Sequence, residues 1–249
     1  HDFPAERCAA TEPVSVLAGR PVLVTGYVDG VVRAERRQAV KAMGGIRRLG
    51  DLLGHLHTLP VSAGVVARSG GAWHHLAEGE PRDELSAAKA MLMGAQREAD
   101  PSDRRHFETL WSALDSLDDC AGLPEALVHP DFVLMNVVAA PARGLVLVDW
   151  TGAGRGPRLW SLAFVLFAEG AKSLKRIDLV AAGYRQHVTL EPEELERMAG
   201  VVRARPLVFA VWALGAGRRT VAQVAADAAK SFEIADRVVE RARAVFGKS

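Results

Sequence analysis

The stretch Leu127–Asp149, LVHPDFVLMNVVAAPARGLVLVD, holds four side chains whose types and spacing suit chemistry at a metal-bound phosphate. Asp131 precedes Asn136 by five residues, and Asp149 lies in the second of two β-type runs, Val133–Ala139 and Leu145–Trp150. The runs flank Pro141-Ala142-Arg143-Gly144, which has the composition of a short hairpin loop. A turn centred between Ala142 and Arg143 sets Asn136 opposite Asp149, with Cβ atoms about 4.5–5.5 Å apart. An amide oxygen and a carboxylate so placed form a hard-oxygen pair for magnesium (Mg2+), which fills its other positions with water and phosphate oxygens. Asp131, in the loop entering the hairpin, is then positioned to orient and deprotonate an attacking hydroxyl. Phosphoryl transfer demands mainly positioning and charge neutralisation, so three such groups among apolar neighbours are a sensible minimal set. His129 precedes Asp131 by two residues, and the pair gains weight only from Asn136 and Asp149 beyond it.

The elements that must carry these residues can be read from hydrophobic period. Pro13–Leu17 and Pro21–Val28 are β-type runs separated by Ala18-Gly19-Arg20, a hairpin closed by Asp29-Gly30. From Arg33 to His57 the pattern turns helical, interrupted at Gly44-Gly45, and Ile46, Leu49, Leu52, Leu53 and Leu56 share one face until Pro60. Residues 61–80 are glycine-rich around Trp73-His74-His75. Helices are expected over 82–98 and 102–118 before the catalytic stretch, and over 158–170, 174–186, 192–204, 206–217 and 219–246 after it. Gly152-Ala153-Gly154-Arg155-Gly156 is spaced GxGxG rather than GxGxxG and lacks a βαβ setting, so a glycine-rich loop is expected there and not a dinucleotide fold.

HPDFVLMN followed by VLVDW resembles the signature of the aminoglycoside phosphotransferase and choline kinase-like family. Leu56-His57-Thr58-Leu59-Pro60, the hinge-like Val22–Gly30 and GPRLWSLA (Gly156–Ala163) extend the resemblance over most of the chain in order. The resemblance implies an α+β, protein-kinase-like fold: a mostly helical C-terminal lobe with a small catalytic β-hairpin over 31–249, and a remnant of the N-terminal lobe sheet over 1–30. It implies Asp131 as catalytic base with His129 shaping the loop, Asn136 and Asp149 as magnesium ligands, and Thr25, Gly26, Tyr27 and Val28 meeting ATP through backbone groups. Pro130 stands where the family has glycine, and Pro157 and Ser161 where it has aspartates, the second of which braces the catalytic loop. Residues 1–40 contain no lysine, so the lysine that grips the α and β phosphates is absent from this chain.

Composition bounds the partners. The chain has 249 residues, 31 basic and 30 acidic side chains and a formal net charge of +1, which leaves no field for nucleic acid as the main partner. Arginine pairs such as Arg36-Arg37, Arg47-Arg48 and Arg218-Arg219 read as solvated helix faces. Cys8 and Cys120 make no disulfide framework or zinc site, and a cytoplasmic setting is expected. The apolar run Pro206–Gly217 is shorter than the roughly 20 residues a bilayer needs, so no membrane association is expected. The first residue is His1 rather than Met, so a trimmed, processed or incompletely represented chain is expected. Two functional readings follow. One is an ATP-dependent phosphotransferase acting on a hydroxyl of a small molecule, aminoglycoside-like or an amino alcohol. The other is a pseudokinase-like module that binds a small molecule or a partner without transfer. Glu169 and Asp178 are the acids to consider for a cationic acceptor, against the plainer reading of ordinary surface carboxylates.

Overall fold

The apolar face expected before Pro60 forms helix α1 (Gly45–Thr58), with Leu49, Leu52, Leu53 and Leu56 buried. The computed structural model describes residues 3–30, 44–61, 80–150 and 152–247; the helical start expected from Arg33 and the Trp73-His74-His75 loop lie outside them. Helices α2 (Pro81–Arg97) and α3 (Arg104–Asp115) follow. Pro81 sits in the first turn of α2, where its missing N–H has no helical partner to lose. Helices α4 (Arg158–Gly170), α5 (Lys175–Tyr184), α6 (Pro192–Gly215) and α7 (Val221–Phe246) complete the helical body.

Six short strands pair into three two-stranded antiparallel sheets among the described residues. β1 (Val14–Leu17) pairs with β2 (Arg20–Leu23) and leaves Val14, Val16, Leu17 and Leu23 exposed. β3 (Glu125–Val128) pairs with β6 (Gly154–Pro157), so the expected glycine-rich loop after Asp149 is instead partly a strand. β4 (Val137–Ala140) pairs with β5 (Gly144–Leu147), and the N-terminal segment runs along the outer edge of β5. There the Glu6 N–H donates to Leu147 O (3.0 Å), and the Leu147 N–H to Pro4 O (2.9 Å).

Two expected helices are one. α6 passes unbroken through Pro206 for 24 residues. An internal proline costs about 3 kcal/mol, and each fully buried apolar side chain returns about 1.5–3 kcal/mol. Met198, Val201, Val202, Leu207, Val208 and Val211 are all buried on α6, so packing on both sides of Pro206 outweighs the defect. The merged helix is long and apolar enough to cross a membrane, at a mean hydropathy of 1.3. It nevertheless carries buried Glu194 and Arg205 and packs against α2, α4 and α7.

α1 and α5 cross with their backbones touching. A Cβ on Gly183 would overlap the Arg47 carbonyl and the Asp51 peptide nitrogen, and one on Gly50 would overlap the Val180 carbonyl. Beside this crossing, His57 of α1 is buried with Nδ1 2.9 Å from the Tyr184 hydroxyl. Burial, assisted by the charge of Arg158, pulls the His57 imidazole from 6.5 down to about 3.

Two stability measurements test this packing. Gly183→Ala should lower stability by about 1–3 kcal/mol, read by urea denaturation, because neither backbone can retreat from the added methyl. The second concerns acid. Between pH 6.5 and about 3 the unfolded chain protonates His57 while the native chain does not. Stability must therefore fall as pH drops through that window, by up to about 1.4 kcal/mol per unit. His57→Gln should remove this contribution from the slope measured between pH 7 and pH 4.5.

Candidate active site

β3 delivers the chain to His129, and the loop from His129 to Val133 leads through a 3-10 turn (Leu134–Asn136) into β4. Phe132 is fully buried and anchors this loop to the core. Asp131 and Asn136 are half-buried, and the Asn136 amide nitrogen donates to both the Asp131 carbonyl (2.9 Å) and the Asp131 Oδ2 (2.8 Å). Those two bonds use both amide hydrogens, so Oδ1 is the atom Asn136 has left to offer a cation.

The hairpin register differs from the expected one by a residue. Ala140 pairs with Gly144 and Val137 with Leu147, so the loop is Pro141-Ala142-Arg143 and centres on Ala142. The Arg143 N–H closes a turn on Ala140 O (3.1 Å), and Gly144 takes φ 75, a conformation open to glycine without steric cost. Gly144 thereby joins the ladder instead of the loop. Asn136 consequently faces Val148, whose N–H donates to Asn136 O (2.9 Å), and Asp149 lies one residue beyond. The expected direct Asn136–Asp149 cross-strand pair is corrected: Asn136 lies opposite Val148, and Asp149 is one residue past it.

Asp149 also leaves the strand conformation, with φ 63, a left-handed geometry that Asp tolerates better than most residues. Its N–H donates to Glu6 Oε1 (2.8 Å) and its carboxylate side is exposed. His129 is fully buried, its Nε2–H donating to Val148 O (3.2 Å) and its ring lying edge-on to Trp150 (5.4 Å) and Phe132 (6.2 Å). Burial holds this imidazole below its ordinary value, against the pull of the Val148 carbonyl and the charges of Asp131 and Asp149. It ties the loop to the end of β5.

Three side chains outside the predicted catalytic and metal set hold the same loop or strand. The Arg205 Nη2 donates to Pro130 O (3.2 Å) and its Nη1 to Glu84 Oε2 (3.1 Å), all buried. Glu6 holds Asp149 as described. Ser161, expected only as a missing aspartate, donates from Oγ to His129 O (3.1 Å). The sequence clue to Arg205 is partial: it and Arg203 both interrupt the apolar stretch Val201–Val211, and burial tells them apart. Nothing local marks Glu84 or Glu6.

The remaining predicted residues have other partners. Thr25 bridges to Cys8, and the Gly26 N–H donates to Arg7 O (2.7 Å), while Tyr27 is 89% exposed. Val28 is half-buried. Glu169 is buried and bonded to Lys172 and Arg176 (both 2.5 Å), and Asp178 is held by Arg241 through two bonds of 2.6 Å. Both acids are committed to arginine or lysine partners.

Residues 2–201 match the family described as the phosphotransferase enzyme family. The chain belongs to that family. No curated protein matches it. Among solved structures it is similar to an aminoglycoside phosphotransferase from Alicyclobacillus acidocaldarius, at 15% identity and a TM-score of 0.61 over 100% of this chain and 79% of that one. A choline/ethanolamine kinase family protein from Mesorhizobium loti aligns at 18% identity and 0.56 over 98% and 79%. Choline kinase from Streptococcus pneumoniae aligns at 14% and 0.56 over 88% and 74%. At these identities the likeness speaks for the fold, which is kinase-like, α+β and mostly helical. The hydrogen bonds of the Asn136 amide should be structural. Asn136→Ala removes two half-buried hydrogen bonds and should cost about 1–3 kcal/mol, measured by urea denaturation.

Proposed function

We propose that this member of the phosphotransferase enzyme family transfers the γ-phosphate of ATP to a hydroxyl of a small molecule, an amino alcohol or an aminoglycoside-like compound. The observation that carries this reading is the Asn136–Asp131 clamp, which joins a candidate base and a candidate metal ligand in one rigid unit. Family membership and the kinase-like fold support it. So do the solved relatives, which include an aminopropanol kinase, and an aminoglycoside phosphotransferase from Streptomyces rimosus in complex with ADP and streptomycin.

In this reading Asp131 accepts the proton of the attacking hydroxyl, and Asn136 fixes the carboxylate oxygen that does so. The donor set fits magnesium: the Asn136 Oδ1 and the exposed Asp149 carboxylate are hard oxygens, few in number, as this ion prefers. Bound magnesium would supply charge neutralisation on the phosphates. The backbone of Thr25–Val28 would meet adenine, and β1–β2, with its exposed valines and leucines, is read as part of a nucleotide-facing lobe spanning 1–30 beside a helical lobe over 31–249. A cytoplasmic setting belongs to this reading, supported by a cysteine count too low for a disulfide framework.

A second reading, a pseudokinase-like binding module, is favoured by one feature. The Gly26 N–H of the hinge segment is already bonded to Arg7 O. Titration calorimetry with ATP and magnesium separates the two, since the module would bind weakly or not at all. For the phosphotransferase, Asp131→Ala should lower kcat for magnesium-dependent ATP turnover by about 10²-fold or more. Asp149→Ala should abolish the magnesium dependence. Turnover by Asp131→Ala at the unaltered rate would sink the assignment of the base.

A further inference from the structure

Pro130, the residue immediately before Asp131, has no N–H, so the loop can be gripped there only through a carbonyl, and only by a donor. Two donors are aimed at it from different helices. Ser161 of α4 donates to His129 O at 3.1 Å, and Arg205 of α6 donates to Pro130 O at 3.2 Å. Two successive carbonyls leading into the candidate base are therefore held from two neighbouring helices.

Arg205 is built to do this with little freedom. Its side chain is 1% exposed, its guanidinium carbon lies 4.5 Å from the Phe164 ring centre and 5.1 Å from that of Phe209, and Glu84, at 0% exposure, receives Nη1 at 3.1 Å. A buried guanidinium without a carboxylate is expensive, so Glu84 is the condition for Arg205 being there at all. The planar fork lets one nitrogen face Glu84 and another face Pro130 while the rings pack its faces; an ammonium has no such geometry. An ion pair serving the core alone has no need to end on the loop carbonyl next to Asp131.

We propose that Ser161, Arg205 and Glu84 form a donor clamp that positions Asp131, with Arg205 as its principal positioning residue. The clamp rests on the phosphotransfer reading only for the role it gives Asp131.

The test compares the full chain with Ser161→Ala, Arg205→Lys and the paired Glu84→Leu/Arg205→Met. The pair removes both charges together at similar volume, which spares folding where a single deletion strands a buried charge. Two quantities are read: amide hydrogen exchange of residues 131–136, and magnesium-dependent ATP turnover with water as acceptor, resolved into kcat and KM. The paired variant should lose about tenfold or more of the loop's exchange protection. Its kcat should fall about 10²-fold with KM for ATP within about twofold, the effect of misplacing a reacting group by about 1 Å. Arg205→Lys should recover little of either, and Ser161→Ala should show a smaller loss in the same direction. A paired variant that keeps both protection and kcat overturns the clamp, as does one whose kcat falls with exchange unchanged. If the unaltered chain shows no ATP turnover, the phosphotransfer reading fails, and the exchange comparison alone then decides the clamp.

Discussion

Gly144, at φ 75, fixes how β4 lies against β5, and the candidate catalytic side chains take their places from that pairing. Because strand side chains alternate faces, a shift of one residue would send Asn136 and Asp149 to different neighbours. The turn across Pro141-Ala142 closes on Ala140, and glycine alone enters the ladder at the next position without strain. From there Val148 meets Asn136, and Asp149 steps out of the strand in a left-handed conformation held by Glu6. The geometry of the site is thus set by backbone pairing first and by side-chain bonds second.

Around that hairpin, the helical body places its few buried charges in pairs. Glu84 meets Arg205, Glu169 meets Lys172 and Arg176, and Glu194 receives two bonds from Arg158 at 2.9 and 2.6 Å. Low dielectric makes each such carboxylate costly unless fully partnered, so these pairs fix which helix lies beside which more than they add stability. Glu194 also receives the Glu191 N–H, so one side chain caps α6 and ties it to α4. The Asp149 carboxylate differs from all of these in being exposed.

The helices were largely legible because their apolar residues recur at three and four. Leu49, Leu52, Leu53 and Leu56 are buried as that period requires, and so are Phe107, Leu110 and Leu114. Pro206 misleads by the same logic, since a local rule against internal proline cannot weigh the burial available on either side. The β3–β6 pair was hidden because Gly154–Pro157 has almost no side chain to show a strand pattern; its pairing comes from the backbone of Glu125–Val128. Residue type, spacing and resemblance singled out Asp131, Asn136 and Asp149; the structure bonds Asn136 to Asp131 and sets Asp149 one residue past the Val148 that faces Asn136.

By itself the sequence determined the helical periods, the order of the motifs along the chain, and the kinds of atoms that gather at the hairpin. Those are local properties, written in side-chain chemistry and spacing. Only the tertiary structure decided the hairpin register, the contact of Glu6 with Asp149, and the meeting of Glu84, Ser161 and Arg205 around the loop. The physical reason is separation: Glu84 and Arg205 stand 121 residues apart, and Glu6 and Asp149 stand 143 apart. Such contacts depend on how whole helices and strands pack, which no local pattern of residue types contains.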